Sequence, residues 1–536
     1  MNTTAQFISY SSTGVFSTII SDYISGNALL KPFYNHPASI DGIKSAIENR
    51  KKYLTNRKVL TDVLKKQYTD VTLTTKQQLN IEQLNNQNCF TITTAHQPNI
   101  FTGHLYFIYK ILHTIKLAEE LQEQIPGNHF VPVYYMGSED ADLEELGEVT
   151  IKGKKYVWET KQTGAVGRMK IDKAFIALID AIEGQLSVEL FGNEIISLLR
   201  KTYTLHKSIE KATFELVNEL FAEYGLVILL PDNAVLKKLF APIIHKELKE
   251  LFSHKAVAET MSIFPEQYKV QAAGRELNLF YLKDNTRERI EKVNGQWSIV
   301  NSSVKFDEHS IFEELETHPE DFSPNVILRP VFQELVLPNI VFIGGGGELA
   351  FWLELKKVFE AVGVPYPVMV LRNSFMIVPE KAVKKMQSLN MVPVDFFRSS
   401  AQLMEQIVKK YSSRQLNFSA EKTRLADVYK TIQTTAAEAD ISLQKHVDAL
   451  YTIAAKKITR LEKKMYAAEK KKYEAEQRQI EKIKSLLFPF GNLQERVDNV
   501  MPYYAEYGSA FINMLYKNST GLQQEFCIIT AVDTGK

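Results

Sequence analysis

Two segments hold the side chains best suited to chemistry. One reads Thr93-Thr94-Ala95-His96-Gln97-Pro98-Asn99-Ile100-Phe101-Thr102-Gly103-His104-Leu105-Tyr106. The other reads Val131-Pro132-Val133-Tyr134-Tyr135-Met136-Gly137-Ser138-Glu139-Asp140-Ala141-Asp142. In each, an apolar, β-prone run ends abruptly in polar residues. Thr-Gly-His at the mouth of a helix suits a phosphate. The glycine lets it approach the backbone, and the helix terminus adds free N–H groups and a positive dipole end. An imidazole there, from His104 or from His96, can stabilise charge on a transferring phosphoryl group. The competing role for either histidine alone is a structural hydrogen bond.

Glu139, Asp140, Asp142, Glu144 and Glu145 crowd the end of the second run. Close carboxylates raise one another's pKa, which suits proton transfer. They equally suit an amine or Mg²⁺. A helix N-cap with acids in its first turn accounts for Glu144 and Glu145 without any ligand. It accounts less well for Glu139 and Asp140, which directly follow a strand.

Further along, Gly344-Gly345-Gly346-Gly347-Glu348 joins a strand pattern to a helix pattern. It lacks both the GxGxxG spacing and a Walker lysine. A side-chain-free loop there can still wrap a ligand, and a tight turn without ligand is the alternative. Arg329, Gln333 and Arg372 stand at element ends near this loop, with Arg275 further upstream. Arginine grips phosphate or carboxylate with two parallel hydrogen bonds.

These residues need a frame. Apolar runs at 90–94, 130–136, 225–232, 339–343 and 366–372 read as buried strands. Ile108, Ile111, Leu112, Ile115, Ala118 and Leu121 form a helix stripe over 105–122, broken at Pro126-Gly127. Alternation of strands and helices predicts an α/β fold with a Rossmann-like, doubly wound parallel sheet. In such sheets ligands bind outside the strands' carboxyl ends. A β-rich stretch is expected around 278–300. From 425 onward Leu425, Val428 and Ile432, then Leu443, Val447, Tyr451, Ala454, Ile458, Leu461, Met465 and Ala468, trace an a/d seam. That predicts a helical coiled-coil arm, ended by Pro489 and Gly491, and a final strand near 526–532.

The chain has 536 residues, 45% of them hydrophobic, enough for several domains. Lys+Arg 64 against Asp+Glu 63 leaves a net charge of +1. That balance gives no electrostatic reason to expect nucleic acid or a membrane surface as partner. No apolar run approaches the roughly 18 residues that span a bilayer. No basic segment of the secretory kind precedes Lys31, so a cytoplasmic protein is expected. The two cysteines, Cys89 and Cys527, form no metal or redox motif and read as small apolar filler.

Several motifs now stand in a fixed order: the stretch from Thr94 to Tyr106; Gly137-Ser138-Glu139-Asp140-Ala141-Asp142; Leu328-Arg329-Pro330-Val331-Phe332-Gln333; the glycine loop; and Phe488-Pro489-Phe490-Gly491-Asn492-Leu493-Gln494-Glu495-Arg496. Thr-Gly-His is similar to the His-x-Gly-His signature of class I nucleotidyl-transfer sheets, with Phe101 in place of the first histidine. Together the motifs resemble the bacillithiol biosynthesis family of cysteine-adding enzymes, BshC, over nearly the whole chain. The family pattern carries a histidine where this chain has Ala141, and Gly-Gly-Pro-Ala-Glu where it has glycines up to Glu348.

The resemblance implies a class I synthetase-like core with inserted connecting-peptide subdomains and a C-terminal α-helical coiled coil that makes a homodimer. The expected division is core 1–150, insertion 151–224, core 225–245, insertion 246–322, core 323–384, coiled-coil arm 385–487 and a returning segment 488–536. The implied reaction joins L-cysteine through its carboxyl to the amine of glucosaminyl-malate. His96, His104, Glu139 and Asp140 are then the catalytic candidates. Gln97, Asn99, Gly103, Tyr106, Asp142, Arg275, Arg329, Gln333, Gly345, Gly346, Glu348 and Arg372 are the substrate-binding candidates. Asn492, Gln494 and Arg496 are candidates for a separate nucleotide site. ATP or ADP is compatible as cofactor, through an adenylate or an acyl phosphate, and no metal is called for. Two alternatives stay open: an adenylating enzyme or nucleotidyltransferase acting on another small acid, and a non-catalytic dimeric scaffold that binds a nucleotide.

Overall fold

Strand β1, Cys89–His96, has all of its residues buried. A strand covered on both faces must satisfy its polar groups internally. Thr91 and Thr93 donate their hydroxyls to Asn339 Oδ1 at 3.1 and 2.8 Å, and Thr94 donates to the Ile343 carbonyl at 2.9 Å. Those bonds lock β1 to its neighbour. The structure, a computed structural model, describes residues 3–271, 274–412 and 416–531.

With β2 (His129–Met136), β3 (Val227–Leu229), β4 (Asn339–Gly344) and β5 (Val368–Leu371), β1 forms a five-stranded sheet in the order β5-β4-β1-β2-β3. Every pairing in it is parallel. The order reverses between β1 and β4, so their carboxyl ends diverge and open a crevice. Helix α1 (Leu105–Gln124) links β1 to β2 and buries nearly its whole circumference, Lys110 and His113 included. Helix α2 (Ala234–Glu250) follows β3; its N-cap Asn233 accepts hydrogen bonds from the Val235 and Leu236 amides. Helix α3 (Arg329–Val336) precedes β4, and α4 (Gly346–Leu353) follows it. Between α2 and α3 the β-rich stretch is an antiparallel sheet built on Leu279–Lys283, Thr286–Val293 and Gln296–Ile299, with Phe322–Pro324 on its other edge.

Two expectations give way. The glycines do not form one loop between strand and helix: Gly344 ends β4, Gly345 is the N-cap, and Gly346 and Gly347 are helical. Glu348 starts the helix early by accepting the Gly345 N–H at 2.8 Å. The a/d seam is not one continuous helix either. It folds back at Asp440, whose extended backbone (φ −158, ψ 122) separates Ser419–Ala439 from Leu443–Lys470. The two helices run antiparallel. Gln433 donates to Asp448 at 2.8 Å, the Tyr429 and Tyr451 rings lie 5.7 Å apart, and Lys422 pairs with Glu462.

The chain divides into two compact units, Met1–Met376 with Asn492–Ile529, and Ile377–Gly491 with Thr530–Lys536. The first holds both sheets; the second holds the helical hairpin. The last strand is Glu525–Ala531, and Val532 lies outside the described residues. Both cysteines are buried and free, and burial pushes each thiol up to about 12, far from a reactive thiolate. Among the described residues no helix is long and apolar enough to cross a membrane.

Candidate active site

A cavity of about 780 Å³ opens at the switch point, lined by the carboxyl ends of β1 and β2, the start of α4 and the antiparallel sheet. His96, the last residue of β1, faces it with its Nε2 buried and without a hydrogen-bond partner. Burial, then the nearby Lys110, His104, Arg329 and Arg372, hold this imidazole well below its ordinary value, so it is neutral. Its ring packs against Tyr106 (5.4 Å) and Phe107 (5.1 Å). The Tyr106 hydroxyl, pushed up to about 12 by burial, remains a donor at neutral pH.

The turn after β1 is unusual. Phe101, Thr102 and Gly103 all have positive φ (52, 71 and 62). A Cβ on Gly103 would come within 2.8 Å of Asn99 Cβ, so this position needs glycine. Asn499 stabilises the turn from the C-terminal segment by donating to the Phe101 and Gly103 carbonyls at 2.8 and 2.5 Å. The Leu105 amide donates to the Asp498 carbonyl at 2.8 Å. His104 is thereby held as N-cap of α1, with Nδ1 buried and unpartnered and its pKa lowered by burial.

At the β4 end, Glu348 accepts the Gly345 amide and pairs with Lys110 at 2.6 Å. Lys110, 1% exposed on α1, also donates to the Ala95 carbonyl at 2.8 Å. Arg372 reaches the same end. Its Nη2 lies 2.7 Å from the fully buried Glu495, while its Nε is buried without a partner. Its guanidinium carbon stands 5.3 Å from the Tyr106 ring.

At the β2 end, Glu139 lines the cavity from a buried network. Lys237, 1% exposed on α2, pairs with Glu139 Oε1 and lies 3.3 Å from Asp232 Oδ1. Ser323 donates to Glu139 Oε2 at 3.2 Å. Arg168 grips Asp232 bidentately at 2.6 and 2.8 Å. Burial raises Glu139 against the opposing pull of Lys237. Asp232 is buried too, but Arg168 and Lys237 outweigh burial and hold it below its ordinary value. Glu210, beside them, is pushed up to about 8 by burial and by Asp232.

The cavity thus brings together His96, Gln97, Tyr106, Glu139, Asp140, Arg275, Arg329, Gly345, Gly346, Glu348 and Arg372. Arg496 lines it as well, so that residue belongs to the same site as Arg372 and not to a separate one. His104, Asn99 and Gly103 shape the turn behind it and are not among its lining residues. Asp142 caps the short helix Leu143–Leu146 by accepting the Glu145 amide at 3.1 Å. Gln333 is buried and donates to Glu334 at 2.9 Å; neither it, Asn492 nor Gln494 reaches the cavity.

Lys110, Lys237, Arg287 and Arg289 stand in none of the motifs, and Glu495 stands in one without a role assigned to it. A faint signal existed for three of them: Lys110 is the one charge in the apolar run from Leu105 to Leu112, and Arg287 and Arg289 alternate on a strand. Cations facing the cavity outnumber acids: Lys110 with Arg275, Arg287, Arg289, Arg329, Arg372 and Arg496, against Glu139, Asp140, Glu145 and Glu348. Among the described residues Arg275, Arg329 and Arg496 have no ion-pair partner. Such a site fits a ligand with more than one negative charge.

Two family models cover the chain. Residues 3–373 match the bacillithiol biosynthesis BshC N-terminal Rossmann-like domain, and 375–531 match the BshC C-terminal coiled-coil domain. A Flavobacterium johnsoniae protein named "Putative cysteine ligase BshC" is 39% identical over 525 residues, 98% of this chain and 99% of its own length. A Flavobacterium psychrophilum protein of the same name is 40% identical over 525 residues, 97% of this chain and 98% of its own. A solved Mycobacterium tuberculosis methionyl-tRNA synthetase in complex with methionyl-adenylate matches over 80% of this chain and 91% of its own at 11% identity, with a TM-score of 0.23. Model matches over both parts and full-length identity near 40% make the chain a member of the bacillithiol biosynthesis BshC family.

Proposed function

We propose that the chain is a ligase that joins the carboxyl of L-cysteine to the amine of glucosaminyl-malate, completing bacillithiol. The observation that carries this reading is the cation-rich cavity at the β1–β4 switch point, with Glu139 at one end and the α4 N-terminus at the other. Glucosaminyl-malate brings two carboxylates and one ammonium. Arg329 and Arg275, without ion partners among the described residues, suit the malyl carboxylates. Glu139 suits the ammonium.

Amide formation needs an activated carboxyl, because a free carboxylate is a poor acyl donor to an amine. The α4 end fits a phosphate: Arg372 Nε is buried and unpartnered beside Gly345, and Lys110 sits under Glu348. Arg372 and the α4 N-terminus would hold a nucleotide there, which would supply the leaving group that makes the cysteine carboxyl an acyl donor. The chain's own residues do the rest. His96, neutral and with a free Nε2, donates to or accepts from the reacting carbonyl and amine. Tyr106 and Phe107 fix its ring. The amine loses its proton, attacks the acyl carbon and expels the leaving group.

The test is reconstitution. Purified protein, cysteine and glucosaminyl-malate are incubated with and without ATP, and product is identified by mass. Bacillithiol in any arm supports the reading; its absence from every arm, with folded protein, overturns it. Pairing of two subunits through the helical hairpin in the cytoplasm is part of the same proposal. Leu450, Ile453 and Leu461 leave 43, 52 and 49% of their surface exposed on Leu443–Lys470, a seam suited to a second copy.

A further inference from the structure

Asp140 and Glu139 both line the cavity, and their partners separate them. Asp140 is a turn residue: its Oδ1 accepts the Asp142 amide at 3.2 Å and its Oδ2 accepts from Gln97 at 3.1 Å. Among the described residues Glu139 is held through side chains, with Oε1 on Lys237 and Oε2 on the Ser323 hydroxyl. Oε2 keeps a lone pair for a ligand. Lys237 itself does not reach the cavity. It is buried on α2, pinned by the Glu320 carbonyl at 2.7 Å and shared between the strand-end acids Glu139 and Asp232.

Resting on the ligase reading above, we infer that Glu139 is the base that takes the proton from the attacking ammonium, and that Lys237 is the positioning residue that keeps Glu139 ionised and aimed for that step. The transfer breaks one N–H bond of the substrate ammonium and forms one O–H bond on Glu139. The freed nitrogen pair then forms the C–N bond as the leaving group departs with its own electron pair, and the second proton that this nitrogen must shed leaves with the departing group. The groups facing Glu139 set its charge. Lys237, Arg168 and Arg287 favour the carboxylate, while Asp232 and Glu210 oppose it; Tyr135 also lies within its field. Burial adds to the opposition. Without the lysine, three carboxyls would share one buried pocket, and such groups cannot all stay ionised.

The experiment is the pH dependence of kcat/KM for wild type, Lys237→Met and Asp232→Asn, with Glu139→Gln as the reference for loss of the base. Glu139→Gln should cost about 100-fold or more in kcat. Lys237→Met should move the acid limb up by about one pH unit or more, a tenfold gain in proton affinity. Asp232→Asn should move it down, because the opposing charge is gone and Lys237 turns wholly to Glu139. Should Lys237→Met fail to fold, the downward shift in Asp232→Asn reads the same coupling. Limbs that stay at the wild-type position while rates fall evenly would make Lys237 structural and overturn the inference. A folded wild type that forms no amide at any pH would instead overturn the ligase reading itself.

Discussion

Arg372 Nη2 stands 2.7 Å from Glu495 Oε1, and both side chains are almost wholly removed from solvent. A guanidinium aimed at the α4 N-terminus is therefore held by a carboxylate from the C-terminal segment. Removing one charge from a buried pair leaves the other uncompensated. Glu495→Gln should lower stability by about 3 kcal/mol, seen as a fall in Tm, and should weaken phosphate-bearing ligands. An unchanged Tm would mean that Arg372 finds another partner.

Arg329 starts α3 at the cavity wall and has no ion-pair partner among the described residues. A charged hydrogen bond contributes about 1.5–3 kcal/mol. Arg329→Gln should raise KM for glucosaminyl-malate by roughly 10- to 100-fold, by the tenfold-per-1.4 kcal/mol relation, and leave kcat and the KM for cysteine nearly unchanged. A fall in kcat at constant KM would place Arg329 on the reacting group.

Glu210 is the pH reporter of the buried acid cluster. Burial and Asp232 lift its carboxyl from 4.5 to about 8 in the folded state. A raised carboxyl binds its proton more tightly folded than unfolded. Its contribution to stability is full below 4.5 and is lost as pH rises through about 8. Wild-type Tm should therefore fall between pH 5 and pH 8, and Glu210→Gln should flatten that fall. An identical slope in both proteins would show that Glu210 is ordinary.

The hairpin of the second unit exposes Ile453 and Leu461. Ile453→Glu with Leu461→Glu places charges on that seam. Light scattering should report a dimer for wild type and a monomer for the double variant, with each protein's Tm for the first unit unchanged. A wild-type monomer at micromolar concentration would contradict pairing through this surface.

The parallel sheet was legible because its strands are buried on both faces and so read as unbroken β-branched and apolar runs, as in Cys89–His96. Strand ends followed from the same pattern, but the helix start inside the glycines did not, because glycine carries no helical signal of its own. The fold-back at Asp440 was not legible, since an a/d repeat looks the same on one long helix as on two facing ones. The charges beneath the site were hidden for another reason. Lys237 meets Glu139, and Glu495 meets Arg372, across about a hundred residues of sequence in each case. Only the doubly wound topology brings them together, and no local spacing announces a partner that far away.

The most direct measurement is a structure with bacillithiol bound. Expected is product in the 780 Å³ cavity, its malyl carboxylates at Arg329 and Arg275 and its amide nitrogen within hydrogen-bond distance of Glu139. Product bound elsewhere on the protein, or seated with its amide away from Glu139 and His96, would contradict the site and the mechanism together.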